Sequence, residues 1–300
     1  MEIRQLKTFR IVAQLLSFNR AAEHLHYAQS SISAQIQALE EELGVKLFDR
    51  LGRGILLTEA GVSLLNYAEK ILDLADETRS EVTGVKELKG SLTIKVPETL
   101  GVHRLPLVIK QFRSRYPRVR LRFTTCTHEG LQKDLRKGIT DLAFLMTDSF
   151  HVADLEVQAL GIENLVLVAH PNHPLVKKPV VHTRDLEGET LLFSRVDCSY
   201  RKTLEAVLKL EKVRYDATLD FNSVAAIKQC VMAGVGISIL PEITVTEDIS
   251  QGRLTVLSWS EGMIEVVTLM IWYKDRWLSP TLSAFMEVVQ EILKNTYETA

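Results

Sequence analysis

Leu6, Phe9, Val12 and Ala13 recur at helical spacing, so residues 3 to 16 predict an amphipathic helix. A shorter helix follows near 19 to 25 with Ala21, Ala22 and Leu25 on its apolar side. Ser17 or Asn19 can cap it, because either side chain can accept from an orphan backbone N–H. The next stripe is Ile32, Ile36, Leu39 and Leu43, with Ser30 or Ser31 as its cap and Gly44 just past its end, where a left-handed residue is expected. Three short stripes must pack on one another. The few residues between the second and third helices force a sharp crossing, which is a helix-turn-helix. Outward, the third helix offers Gln29, Ser30, Ser31, Ser33, Ala34, Gln35 and Gln37. Short neutral donors and acceptors near a helix N-terminus can approach base edges in a major groove, while the N-terminus itself favours phosphate. Glu40, Glu41 and Glu42 fall at the far end, away from DNA.

Residues 45 to 58 then read as strand, glycine turn, strand: a wing tipped by Arg53, with Lys46 and Arg50 beside it for phosphate or a minor groove. Residues 1 to 58 hold seven Lys and Arg against six Asp and Glu, so the positive charge is local to this wing. Thr58 caps a long helix predicted from Glu59 to about Leu88. Leu64, Ala68, Ile71, Ala75, Thr78, Val82 and Val85 alternate steps of four and three along it. That is a heptad seam, narrow enough to ask for a partner helix from a second copy. Leu65 and Leu72 lie off the seam and are expected to pack back on the preceding helices.

Residues 1 to 88 resemble the DNA-binding domain and linker helix of LysR-type transcriptional regulators. The resemblance is carried by Leu6-x-x-Phe9, Ser17-Phe18-Asn19-Arg20-Ala21-Ala22, Gln29-Ser30-Ser31-Ile32-Ser33, Ile36-x-x-Leu39-Glu40, Leu43-Gly44-Val45-x-Leu47-Phe48-x-Arg50 and Leu57-Thr58-x-Ala60-Gly61. It implies a winged helix-turn-helix dimer, commonly a tetramer, that bends double-stranded promoter DNA. The family usually has proline where this chain has Ser30, and often a basic residue at Ala34. Both departures lie on the reading face, so target bases do not carry over.

After Lys89-Gly90-Ser91, a plausible hinge, short apolar strands alternate with helices. The order βαβαβ occurs twice, which favours a parallel sheet with helices on both faces. The expected organisation is an α+β multidomain chain: a DNA-binding domain at 1–58, a linker helix at 59–88 and a two-lobed α/β domain at 89–300. Lobe I is placed at about 91–162 plus 266–300 and lobe II at about 163–265, with crossings near 161–165 and 260–266. This half resembles the family's effector domain, which is similar to periplasmic binding proteins. Ligands in open α/β sheets sit beyond the carboxyl ends of strands. Thr99, Thr127, Ser199 and Ser223 are the expected polar contacts there, with His128 beside them and Leu100 and Met146 as walls. Arg104, Arg195 and Arg201 nearby suggest a small anionic effector of unknown identity.

Composition sets the remaining bounds. The chain has 300 residues, 46% hydrophobic and 25% charged, an ordinary globular balance, and a net charge of −2 that names no partner. No apolar run reaches the roughly 18 residues of a membrane span. Three dispersed cysteines, Cys126, Cys198 and Cys230, fit a reduced cytoplasmic protein. Gly234-Val235-Gly236-Ile237 reads as a tight turn, not a dinucleotide loop. His170 and His173 flank Pro171-Asn172 in a loop with no third ligand near, so no metal is expected. Cys198 lies beside Arg195 and Arg201, which can lower a thiol pKa, but no second cysteine is near. With no serine elbow, cofactor motif or other catalytic signature, a non-enzymatic regulator is expected. The competing reading is a solute-binding or enzymatic α/β protein that its N-terminal helices only dimerise.

Overall fold

The computed structural model describes residues 1–51, 54–82, 88–126, 130–147, 152–194, 198–214, 217–262 and 264–298. The chain forms two compact units. One comprises Met1–Ser91 with Arg118–Arg120, the other Leu92–Pro117 with Leu121–Ala300.

The first unit begins with α1 (Ile3–Leu15), α2 (Phe18–Leu25) and α3 (Gln29–Leu43). Ser17 is the cap of α2: its hydroxyl accepts from the Arg20 N–H at 3.3 Å. The residue before α3 is Ala28, so neither Ser30 nor Ser31 caps it; both lie exposed in its first turn. Gly44 closes α3 at φ 69°. The wing is β1 (Phe48–Leu51) paired antiparallel with β2 (Gly54–Leu57). Then α4 (Glu59–Val82) starts from Thr58, whose hydroxyl accepts from Gly61 N–H at 3.0 Å and donates to the Lys46 carbonyl at 2.7 Å. Gly61 is required there. A Cβ on it would sit 2.1 Å from the Leu47 carbonyl oxygen.

Leu6, Phe9, Val12, Ala21, Ile32, Ile36, Leu39, Leu47 and Phe48 form the core of this unit, and Ala68 and Leu72 of α4 complete it. Here the heptad expectation is corrected. Ala68 is fully buried within the chain, and Leu64 and Ile71 are half-buried against the same core. The three small helices are too short to close their own core, so α4 serves as the fourth wall. Residue 85 of the expected seam lies outside the described residues. The apolar face of α4 that remains exposed runs through Tyr67, Leu74 and Val82, with Thr78 between them.

The second unit takes in most of β3 (Gly90–Val96), which leads into α5 (Glu98–His103) and α6 (Leu105–Arg115), and most of β4 (Val119–Thr125). Next come α7 (Leu131–Arg136), β5 (Leu142–Thr147) and the 15-residue β6 (Leu155–Ala169). Two short 3-10 turns separate β6 from β7 (Thr190–Ser194). α8 (Cys198–Leu210), β8 (Ala217–Phe221), α9 (Val224–Met232), β9 (Ser238–Pro241) and α10 (Glu242–Ser250) follow. The chain ends with β10 (Thr255–Val256), β11 (Ile264–Tyr273) and α11 (Pro280–Glu298).

The sheet is mixed, not parallel as expected. Its order is β10-β6-β11-β5-β3-β4, with β9 also on β6. β3 and β5 are parallel, as are β7 and β8, but β11 runs antiparallel to both β5 and β6. The chain passes between two cores inside β6. Its first part pairs with β11 from Leu155 to Leu165; its end pairs with β9 and β10. One core gathers Leu131, Leu135, Ala143, Leu145, Leu269 and Ile271, the other Val166, Val168, Leu192, Ile227, Val231 and Val245. Gly234, at φ 77°, ends α9, and a Cβ on Gly236 would meet the Thr190 carbonyl oxygen at 2.3 Å. That GxG is a tight turn against a strand.

Candidate DNA interface and effector cleft

Gln29, Ser30, Ser31 and Ala34 are exposed on α3, and Ser33 is half-exposed. Gln29 Nε2 donates to Ser33 Oγ at 2.9 Å, which aligns the two side chains along one face. Gln35 departs from the expected reading role. It is half-buried, and its carbonyl accepts from the buried Thr8 hydroxyl at 2.8 Å, tying α3 to α1. Arg53 lies outside the described residues, as does the Arg50 side chain. Lys46 is not free for phosphate: its ammonium sits 2.7 Å from Glu40 Oε2. Glu40, expected on the outer end of α3, is only 9% exposed, and its other oxygen accepts from the Leu47 N–H at 2.9 Å. Burial pushes its carboxyl up, but the Lys46 hydrogen bond, the Leu47 N–H and the Lys46 charge outweigh it, leaving the pKa below its ordinary value. The two bonds fix the start of the wing against α3.

In the second unit, two cavities open where α5 faces the N-terminal end of α9. One, of about 130 Å³, is lined by Glu98, Thr99, Val102, His103, Val224, Ala225, Lys228 and Thr244. The other, of about 530 Å³, is bounded by the β3 end, Phe123 to Thr125, Asn222 and Ser223. Thr99 is 1% exposed, and its hydroxyl has no hydrogen-bond partner among the described residues. Ser223 caps α9 by accepting from the Ala226 N–H and donates to Glu98 Oε1 at 3.1 Å. Glu98 Oε2 accepts from the Val224 N–H at 2.8 Å. A carboxylate of the protein therefore already occupies the N-terminus of α9.

The expected walls Leu100 and Met146 are buried in the interior and line neither cavity. Thr127, His128, Arg195 and the Ser199 side chain lie outside the described residues. Arg104 is 8% exposed, bonded to Glu163 at 2.7 Å and stacked 4.5 Å from the centre of the Tyr297 ring. Arg201 pairs with Glu205 and Asp220 and lies over Phe193. Two of the three cations taken to attract an anion, Arg104 and Arg201, are thus paired within the protein, which weakens that basis for an anionic effector. Glu98, His103, Lys228 and Thr244 were not singled out by sequence reasoning. Glu98 alone had a signal, a charge at the carboxyl end of a strand. The side chains of His170 and His173 accept from N–H groups of their own loop at 3.1 and 3.3 Å, a turn arrangement.

A winged helix-turn-helix joined to a two-core α/β unit with a cleft defines a DNA-binding regulator with an effector-binding domain. The chain belongs to the lysR family: residues 3–62 match the bacterial regulatory helix-turn-helix protein of that family, and residues 86–294 match the LysR substrate binding domain. It is similar to an uncharacterised HTH-type transcriptional regulator, YwqM, of Bacillus subtilis, at 40% identity over 98% of this chain and 100% of the relative. Among solved structures it resembles full-length OxyR from Pseudomonas aeruginosa, with 25% identity and TM-score 0.69 over 98% of this chain and 95% of that one. It also resembles full-length CbnR complexed with its target DNA, with 27% identity and TM-score 0.66 over 97% of this chain and 99% of that one. The protein is a transcriptional regulator and not an enzyme, so the competing reading is set aside.

Proposed function

We propose that this regulator reads promoter DNA through Gln29, Ser30, Ser31, Ser33 and Ala34 of α3, and holds the phosphates through Arg50 and Arg53 of the wing. It acts in the cytoplasm as a homodimer or higher oligomer, with a second copy packed on the Tyr67, Leu74 and Val82 face of α4. No helix among the described residues is long and apolar enough to cross a membrane. A small molecule bound beside α5 and α9 sets its activity, with Thr99 and Ser223 as contacts and Thr127, His128 and Ser199 completing the rim. No cofactor or metal takes part.

The observation that carries the effector reading is Thr99, a residue of the cavity lining whose buried hydroxyl has no partner among the described residues. Leaving such a group unsatisfied costs about 1–3 kcal/mol, a loss that a bound ligand recovers. Screening the full-length chain against metabolites by thermal shift tests it, since a ligand of the folded state raises the melting temperature with its excess over Kd. Thr99→Val is expected to abolish the shift while ligand-free DNA binding persists. A shift that survives Thr99→Val places the effector elsewhere.

On the DNA side, Arg53→Ala is expected to weaken binding to every sequence and lower the salt slope by about one. Gln29→Ala is expected to alter preference between sites by about 1–3 kcal/mol. Gel-shift titrations on two operators at several salt concentrations separate the two. Equal losses on both sequences from both variants would refute the division.

A further inference from the structure

We propose that the cleft takes a ligand bearing a primary ammonium group, an amine or amino acid, seated on the Glu98 carboxylate where it bridges α5 and α9. The inference rests on the reading of this cleft as the effector site, and it reverses the charge first expected of the ligand.

Glu98 is half-buried and lines both cavities. Each of its oxygens accepts one bond, from the Ser223 hydroxyl at 3.1 Å and the Val224 N–H at 2.8 Å. A carboxylate offers about four acceptor positions, so room for further donors remains on the cavity side. The N-terminus of α9 is where an anionic ligand would sit, but that position is filled from within. An incoming carboxylate or phosphate would have to expel Glu98 and then lie beside it, and like charges at that range oppose each other.

Among the described residues nothing nearby offsets this. Lys228 lines the smaller cavity, but its ammonium is 2.7 Å from Asp248 and donates to the Thr244 carbonyl. Arg104 and Arg201 are paired as described. Burial and the charges of Lys228 and Arg104 hold the His103 imidazole below its ordinary pKa, so it adds no positive charge near neutrality. Among the described residues the cleft therefore presents one carboxylate without a cationic partner, and beside it the unpartnered Thr99 hydroxyl. An ammonium has three donors and no acceptor. It can donate to the remaining acceptor positions of Glu98 without breaking the bridge to α9.

The test uses the full-length protein and two matched panels: the standard amino acids with simple alkylamines, and the corresponding carboxylic and keto acids that lack the amino group. At least one amino compound is expected to raise the melting temperature while its deaminated counterpart does not. Glu98→Gln is expected to weaken that compound roughly ten- to hundred-fold, the loss of one charge-assisted hydrogen bond. Glu98→Asp, which keeps the charge, serves as a second variant and is expected to retain more of the response than Gln. Both variants are checked for ligand-free melting and DNA binding. A shift given by an acid and kept or strengthened in Glu98→Gln overturns the ammonium proposal and leaves the cleft standing. No shift from either panel overturns it too. A shift that ignores both Glu98→Gln and Thr99→Val removes the cleft reading itself.

Discussion

Glu40, on α3, is turned inward: its carboxylate bonds Lys46 and the Leu47 N–H and ties the start of the wing to that helix. Its folded pKa lies below the unfolded value of 4.5. Its stabilising contribution is thus fully present above about pH 4.5 and is lost as pH falls through the folded value. Glu40→Gln is expected to melt lower than the parent chain near neutrality, with the gap closing below pH 4.5. A gap independent of pH would mean that the charge is irrelevant. Gly61→Ala places a methyl 2.1 Å from a backbone oxygen and is expected to cost about 1–3 kcal/mol, since the wing must shift. Three helix ends were legible at this scale, because Ser17, Thr58 and Gly44 follow from local hydrogen-bond accounting, whereas the expected Ser30 or Ser31 cap of α3 was not, since Ala28 precedes that helix. Glu40, Arg104 and Gln35 were not, because their partners lie on other elements and a charge or amide in the sequence does not announce its burial.

Helices were readable from their stripes, and α1, α2 and α4 start within a residue or so of where the pattern put them. The partner of a stripe was not readable. The heptad spacing on α4 was assigned to a second copy, yet Ala68 and Leu72 close the core of their own unit. A narrow seam looks the same in sequence whichever surface it meets. Only exposure separates the two faces, and it leaves Leu74 47% and Val82 82% exposed. Leu74→Asp is therefore expected to reduce the oligomer in light scattering without unfolding the monomer, because a carboxylate there is solvated in one copy and desolvated between two. An unchanged mass would place the contact elsewhere. The first half of β6 escaped notice for a different reason. Glu156, Gln158, Glu163 and Asn164 interrupt the apolar residues, and a half-solvated strand does not read as the apolar run that marks a buried one.

For the molecule as a whole, the winged helix-turn-helix and the α/β domain after it followed from the resemblance and the alternation of strands and helices. The antiparallel insertion of β11 between β5 and β6 did not, since strand order depends on long-range pairing that local pattern does not encode. Where β6 leaves one core for the other, a buried polar network replaces apolar packing. Arg104 at the α5–α6 junction bonds Glu163 of β6, and the Tyr297 hydroxyl of α11 bonds both Glu163 and Thr268 of β11, each at 2.9 Å. Burial and the Glu163 charge push the phenol well above its ordinary pKa, so it stays a donor. The Tyr297 ring sits against Gly161, where a Cβ would clash with it at 2.1 Å. α5 is also the helix that carries Glu98 and Thr99, so the network anchors the cavity-lining element to the crossing strands. Glu163→Ala strands a buried guanidinium and is expected to cost about 3–5 kcal/mol. Tyr297→Phe keeps the ring on Gly161, removes only two hydrogen bonds and is expected to cost about 1–3 kcal/mol. All three tryptophans, Trp259, Trp272 and Trp277, belong to this unit, so tryptophan fluorescence in a urea titration reports its unfolding separately from the DNA-binding unit. If Tyr297→Phe proves as damaging as Glu163→Ala, the hydrogen bonds of the Tyr297 hydroxyl, and not the Arg104–Glu163 charge pair, hold the crossing together.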